Sequence, residues 1–128
     1  MRKKIRQACF RERCFKIECA DTLPKRACGL MFRSSLDWKG GMLFVFRRER
    51  SIPIWMFGMR IPLDILWIDA EKRVVHIERN VSPCKDVFCP TLISPKRAQY
   101  VLEVNAGVAE EAGISEGAVM VLREGREF

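Results

Sequence analysis

The chain has 128 residues, of which 48% are hydrophobic and 30% charged, which suits one domain with a real core and excludes a mainly disordered chain. Its longest apolar runs, Met42 to Phe46 and Ile65 to Ile68, fall far short of the roughly 18 residues needed to cross a bilayer as a helix. The formal charge of +7 is unevenly spread: residues 1 to 16 carry seven Lys or Arg against Glu12 alone, while the other 112 residues hold 16 basic and 15 acidic groups.

The amino-terminal stretch reads as a basic arm over residues 1–13, leading into a single β-rich domain over 14–128. Arg2, Lys3, Lys4 and Arg6 run on to Arg11, Glu12, Arg13 and Lys16 without an apolar stretch between them, so no secretory leader is expected and the cytoplasm is the expected compartment. The plainer role for the arm is a solvated leader. The alternative is weak, salt-sensitive contact with nucleic-acid phosphates, driven by counterion release. Only Phe10 and Phe15 interleave there, too few for a base-stacking platform.

The period-two pattern of Cys14 to Ala20 predicts a first strand, with Phe15, Ile17 and Cys19 on one face. Asp21 and Thr22 offer caps to a short helix over Pro24 to Phe32. After Gly40-Gly41 the apolar run Met42 to Phe46 suits a strand covered on both faces, and Arg47 to Arg50 reads as a charged turn. Strands are expected at Ile52 to Phe57 and Leu63 to Ile68, the latter in a hairpin with Arg73 to Arg79 through Asp69-Ala-Glu-Lys72. Asn80 to Lys96, with three prolines and no clear period, reads as a long structured loop. A strand at Tyr100 to Val104, a turn or two of helix at Ala106 to Ala112 stopped by Gly113, and a last strand at Ala118 to Leu122 complete the chain. The fold class expected is mainly β, a small twisted or barrel-like mixed sheet of about seven strands with two short helices.

The segments Arg26-Ala-Cys-Gly-Leu-Met-Phe-Arg33, Gly41-Met-Leu-Phe-Val-Phe46, Trp55-Met56, Ile61-Pro-Leu-Asp-Ile-Leu-Trp-Ile-Asp69 and Tyr100-Val-Leu-Glu-Val-Asn-Ala-Gly107 occur in one order. Together, over about Cys14 to Leu122, they resemble the domain-of-unknown-function 192 family. The resemblance implies a compact, mainly β domain and supplies no activity, cofactor or partner. This chain departs from the family's form at Phe57-Gly58-Met59, where a polar Lys-Asn-Thr stretch usually follows Trp-Met, so any polar site there in relatives is altered here. Cys84 and Cys89 resemble a cysteine pair found in a subset of the family.

Asp64, at a strand start, and Glu103, within an otherwise apolar strand, are the candidate catalytic carboxylates. Burial would raise their pKa toward the range of a general acid or base, and two such groups across a cleft would suit hydrolysis. The bland alternative is that each accepts backbone hydrogen bonds and holds the fold. Cys84 and Cys89, five residues apart, suit a local disulfide, half a zinc site, or free thiols. Without a signal peptide, six cysteines argue against an obligatory disulfide framework. Met31, Met42, Met56 and Met59 are better read as gap-filling core than as a soft copper(I) site. His76, the only histidine, cannot supply both a base and its orienting partner. No nucleotide-binding glycine motif is present, and neither a resident metal nor a cofactor is expected.

The leading expectation is a ligand-binding or accessory domain with a surface cleft bordered by Trp55, Met56, Asp64 and Arg33, its partner an unidentified small ligand or protein. A hydrolase using Asp64 and Glu103 is the second, and nucleic-acid association through the basic arm the third.

Overall fold

The computed structural model describes residues 3–85 and 88–126. Nine strands and two short helices follow in the order β1 (Lys3–Phe10), β2 (Arg13–Ala20), α1 (Leu23–Cys28), β3 (Gly40–Arg50), β4 (Pro53–Trp55), β5 (Leu63–Ile68), β6 (Val74–Val81), β7 (Thr91–Ile93), β8 (Ala98–Asn105), α2 (Val108–Glu111) and β9 (Val121–Arg126). Seven strands make one sheet in the order β6-β5-β8-β3-β2-β1-β9, and β4 pairs with β7 in a separate ribbon. The fold is mainly β, as the sequence predicts.

Among the described strands of this sheet, β2 and β3 run parallel and every other neighbouring pair antiparallel. A parallel pair needs a crossover, and the segment carrying α1 supplies it. The sheet curls until its edges meet at one bridge, Arg73 opposite Val119, fastened by Val74 N–H to the Ala118 carbonyl at 2.9 Å and Met120 N–H to the Lys72 carbonyl at 2.7 Å. Beyond that bridge β6 and β9 do not pair, so the sheet is not closed into a barrel.

Each face buries its own core. Phe10, Phe15, Leu43, Leu66, Leu102 and Val104 pack inside the curl under Val108 and Ala109 of α2. Phe44, Met56, Met59, Ile65, Trp67 and Val101 pack on the other face against Leu30 and Ile52. Strands β5 and β8 are interior to the sheet and buried on both faces, which explains why they are mostly apolar apart from Asp64 and Glu103. Trp67 is fully buried and donates through Nε1 to the Ile52 carbonyl at 2.9 Å.

The main correction is at the amino terminus. Residues read as a solvated leader form β1, paired on one side with β2 and on the other with β9, so Cys14 to Ala20 lies in the second strand. Met1 and Arg2 of the expected arm lie outside the described residues, as do Asp86 and Val87 of the expected loop and Glu127 and Phe128 of the expected domain. Arg47 to Arg50 continues β3 where a turn was expected, since edge-exposed charged residues serve a strand once its partner, β8, is supplied from afar. The Asn80 to Lys96 segment contains β7, too short to show a period. Among the described residues no helix is long and apolar enough to cross a membrane.

Candidate functional site

Asp64 and Glu103 are both buried, at 1% and 4% exposure, yet they do not converge. In the β5–β8 register Asp64 stands opposite Val104, a residue of the core inside the curl, and Glu103 stands opposite Ile65, a residue of the core on the other face. Side chains alternate across a strand, so the two carboxylates project to opposite faces of the sheet. No substrate can touch both.

Each carboxylate has its own environment. Asp64 accepts three backbone N–H bonds, from Asn80 at 2.8 Å through Oδ1 and from Gly107 at 3.0 Å and Ala109 at 2.9 Å through Oδ2. It thereby ties the start of α2 and the end of β6 to β5, filling the place of a side-chain cap that Gly107 cannot provide. Glu103 is flanked by Met42 and Ile65, and burial alone pushes its pKa up to about 7.

The residues expected to border one cleft are also separated. Met56 is core. Arg33 is bound to Glu18 through both guanidinium nitrogens, one of them donating at 2.7 Å, and the pairing holds the Glu18 carboxyl below its ordinary range. Trp55 is 47% exposed; its ring stacks on Phe57 with centroids 4.9 Å apart, and its Nε1 donates to the Cys89 carbonyl at 3.2 Å.

Two surface clefts take the place of that single one. The first, about 920 Å³, lies over β1 and β2, on the side turned away from Phe15. Lys4, Arg6 and Lys16 enter it from these strands, and Lys25, Arg33 and Lys39 from the crossover; among the described residues Glu18 and Asp37 are its acidic lining. Glu18 is already paired with Arg33, and Asp37 Oδ1 accepts the Lys39 N–H at 2.9 Å. Asn105 fixes the rim by donating to the carbonyls of Leu36 at 2.7 Å and Asp37 at 3.2 Å. This cleft escaped the sequence reading because its cations come from two strands and a crossover; the clustered charge of residues 1–16 was the available signal.

The second cleft, about 650 Å³, is aromatic: Phe32, Phe57, Gly58, Met59, Arg60, Pro83 and Lys85 line it. It forms where three segments lock together, Phe32 N–H donating to the Gly58 carbonyl at 3.0 Å and Gly58 N–H to the Cys84 carbonyl at 3.1 Å. Gly58 has φ +80°, and a Cβ there would meet Met31 Cγ at 2.8 Å, so only glycine suits this crossing. The segment Phe57-Gly58-Met59, where the chain departs from its expected polar form, builds part of this wall.

Cys84 and Cys89 are joined as a disulfide, which closes the loop behind the aromatic cleft, and a second disulfide joins Cys9 to Cys14. The second was not read from the sequence, because Cys9 falls in the stretch taken as a basic arm and Cys14 at the start of the expected first strand. A tight turn at Arg11-Glu12 sets them opposite each other in the β1–β2 hairpin. Cys19 and Cys28 are free thiols lining the basic cleft, and burial, more than the nearby Asp21, pushes the Cys19 thiol up. Among the described residues no group of three or more His, Cys, Asp or Glu is placed to hold a metal ion.

An open, curled mixed sheet with one basic and one aromatic cleft defines a small mainly β domain whose buried carboxylates serve separate places. The chain belongs to the domain-of-unknown-function 192 family, described as Uncharacterized ACR, whose model matches residues 6–122. It is 31% identical over 105 residues to a UPF0127 protein of Thermococcus kodakarensis and 32% identical over 104 residues to one of Thermococcus gammatolerans, covering 80% and 79% of this chain. The chain spans only 61% and 62% of the lengths of these relatives. Among solved structures it resembles a Sinorhizobium meliloti 1021 protein described as a candidate transcription regulator, with TM-score 0.83, 28% identity and 94% of both chains covered. A Novosphingobium aromaticivorans protein of unknown function matches with TM-score 0.79 and 33% identity, over 85% of this chain and 76% of that one.

Proposed function

We propose that this protein is a binding module whose ligand is anionic and sits in the basic cleft over β1 and β2. The observation that carries this reading is the gathering of six cations against two acids around one open cleft, an excess of positive charge that remains after Arg33 is paired with Glu18. Low-dielectric walls concentrate such a field and raise the local concentration of anions. The expected third reading, nucleic-acid contact through a basic arm, merges with this one, because Lys4, Arg6 and Lys16 face the cleft from folded strands. The description of the Sinorhizobium meliloti relative as a candidate transcription regulator agrees with a phosphate-bearing ligand. A cytoplasmic setting goes with such a ligand; the two disulfides weigh against it.

Hydrolysis by Asp64 and Glu103 lacks comparable support, since the two lie on opposite faces of the sheet.

The test is retention on immobilised heparin and its salt dependence. Lys16→Glu with Lys39→Glu, both exposed positions, is expected to weaken binding at least about tenfold and to flatten the salt slope. The control Arg48→Glu with Lys96→Glu makes the same change of net charge outside the cleft. Equal loss from both pairs would leave net charge as the only cause and remove the cleft from consideration.

A further inference from the structure

From the junction of the two clefts we infer that the ligand is single-stranded nucleic acid, its backbone in the basic cleft and at least one base in the aromatic one. This inference rests on the anion-binding reading above and adds the ligand's class.

The two clefts meet along the chain: Phe32 lines the aromatic cleft, and the next residue, Arg33, lines the basic one. A polymer carrying both negative charge and flat rings matches this pairing, because every nucleotide offers a phosphate and a π-face. The aromatic cleft has the parts that stacking requires. Phe32 is 61% exposed, so its ring is open to a ligand. Phe57 is braced from behind by Trp55, so its ring is held in a fixed plane before any ligand arrives. Arg60 sits over the Phe32 ring at 5.8 Å, and Lys85 also lines the cleft. Among the described residues lining this cleft the charged ones, Arg60 and Lys85, are both basic, which suits a phosphate beside a stacked base. Platforms of this composition, aromatic rings beside a positive groove, hold unpaired bases with little regard to sequence. A duplex keeps its bases stacked on one another and would use only the basic half.

A second copy of the chain is a poorer occupant, since it would bring its own cations to a surface that is already positive. An acidic peptide meets the charge but leaves Phe32 and Phe57 without flat partners.

The experiment uses the full chain with four probes: fluorescein-labelled (dT)15, a 15-base-pair duplex, a heparin fragment and polyglutamate. Phe32→Ala and Phe57→Ala remove rings outside both cores, and a thermal melt checks that each variant folds. The expected result is that (dT)15 binds more tightly than the duplex, and that each ring removal weakens (dT)15 by between about fivefold and a hundredfold while heparin affinity stays unchanged. Binding of (dT)15 should also quench tryptophan fluorescence through Trp55, an effect lost in Trp55→Phe.

If heparin binds through Lys16 and Lys39 while ring removal leaves (dT)15 unaffected, the single-strand inference falls and the anion cleft stands. Preference for the duplex overturns it equally. Polyglutamate binding as tight as (dT)15, with the same dependence on Phe32 and Phe57, would replace the nucleic acid with an acidic peptide. No binding of any polyanion would overturn both readings together.

Discussion

At the scale of single residues, the two buried carboxylates show how one chemical group serves opposite ends. Asp64 stands where three N–H groups converge, so its burial is offset by the hydrogen bonds it accepts. Asp64→Asn keeps the shape but presents an amide N–H₂ where acceptors are needed, and should cost about 3 kcal/mol in urea unfolding. Unchanged stability would reject the anchoring role. Glu103 is the reverse case, with a folded pKa raised from the ordinary 4.5 to about 7 by burial alone. The folded chain therefore keeps a proton that the unfolded chain releases between about pH 4.5 and 7. The favourable contribution is full below pH 4.5 and drains away as pH rises through 7, by about 3 kcal/mol at most. Glu103→Gln should flatten that slope and raise stability at pH 8, as read by denaturation across pH; an unaltered slope would assign the pH dependence elsewhere. That these residues matter was legible in the sequence, because a carboxylate inside an apolar strand stands out. Which face each occupies was not, since the register of β5 on β8 depends on residues some forty positions apart.

Among the elements, the central pair β3–β8 depends on one close approach. A Cβ at Gly41 would lie 2.9 Å from the Glu103 carbonyl oxygen and 3.1 Å from Val104 Cγ1. The first of these is backbone and cannot rotate away. Gly41→Ala should therefore push β3 off β8 and lower stability by roughly 2 kcal/mol or more, a strain typical of overpacked cores; a melting temperature equal to the parent's would show that the ladder yields. Elements with strong local signals were the readable ones. Leu63–Ile68 was placed at both ends because the apolar run Ile65 to Ile68, bounded by Pro62 and Asp69, suits a central strand. Helix α1 was found from Thr22, whose hydroxyl accepts the Lys25 N–H at 3.4 Å, although the helix stops at Cys28, four residues before the expected end. Strand β1 was hidden: its basic residues look solvated, and only pairing with β9, at the far end of the sequence, makes them a strand. The aromatic cleft was half legible, since Trp55, which stacks on its Phe57, was singled out but Phe32 and Lys85 arrive from distant loops.

For the whole molecule, the decisive property is an open sheet that presents two different cores and leaves part of one face uncovered. The loops over β3, β8 and β5 stop short of β1 and β2, so the charged side chains of those strands border a cleft. Sequence composition carried the sign of that surface; its location needed the curl. The strand order also makes the first and last strands neighbours, with Lys3 opposite Arg126 in the ladder. Strand partners in an antiparallel ladder sit about 5 Å apart, so a short linker between these ends would complete a ring of chain. A ring has no privileged starting point. Cut open at the exposed Arg11-Glu12 turn, it would begin with β2 and end with β1, and the Cys9–Cys14 bond would clasp the two new ends. The fold is thus specified by which strands touch, and the order in which they are read along the chain is one of several equivalent spellings.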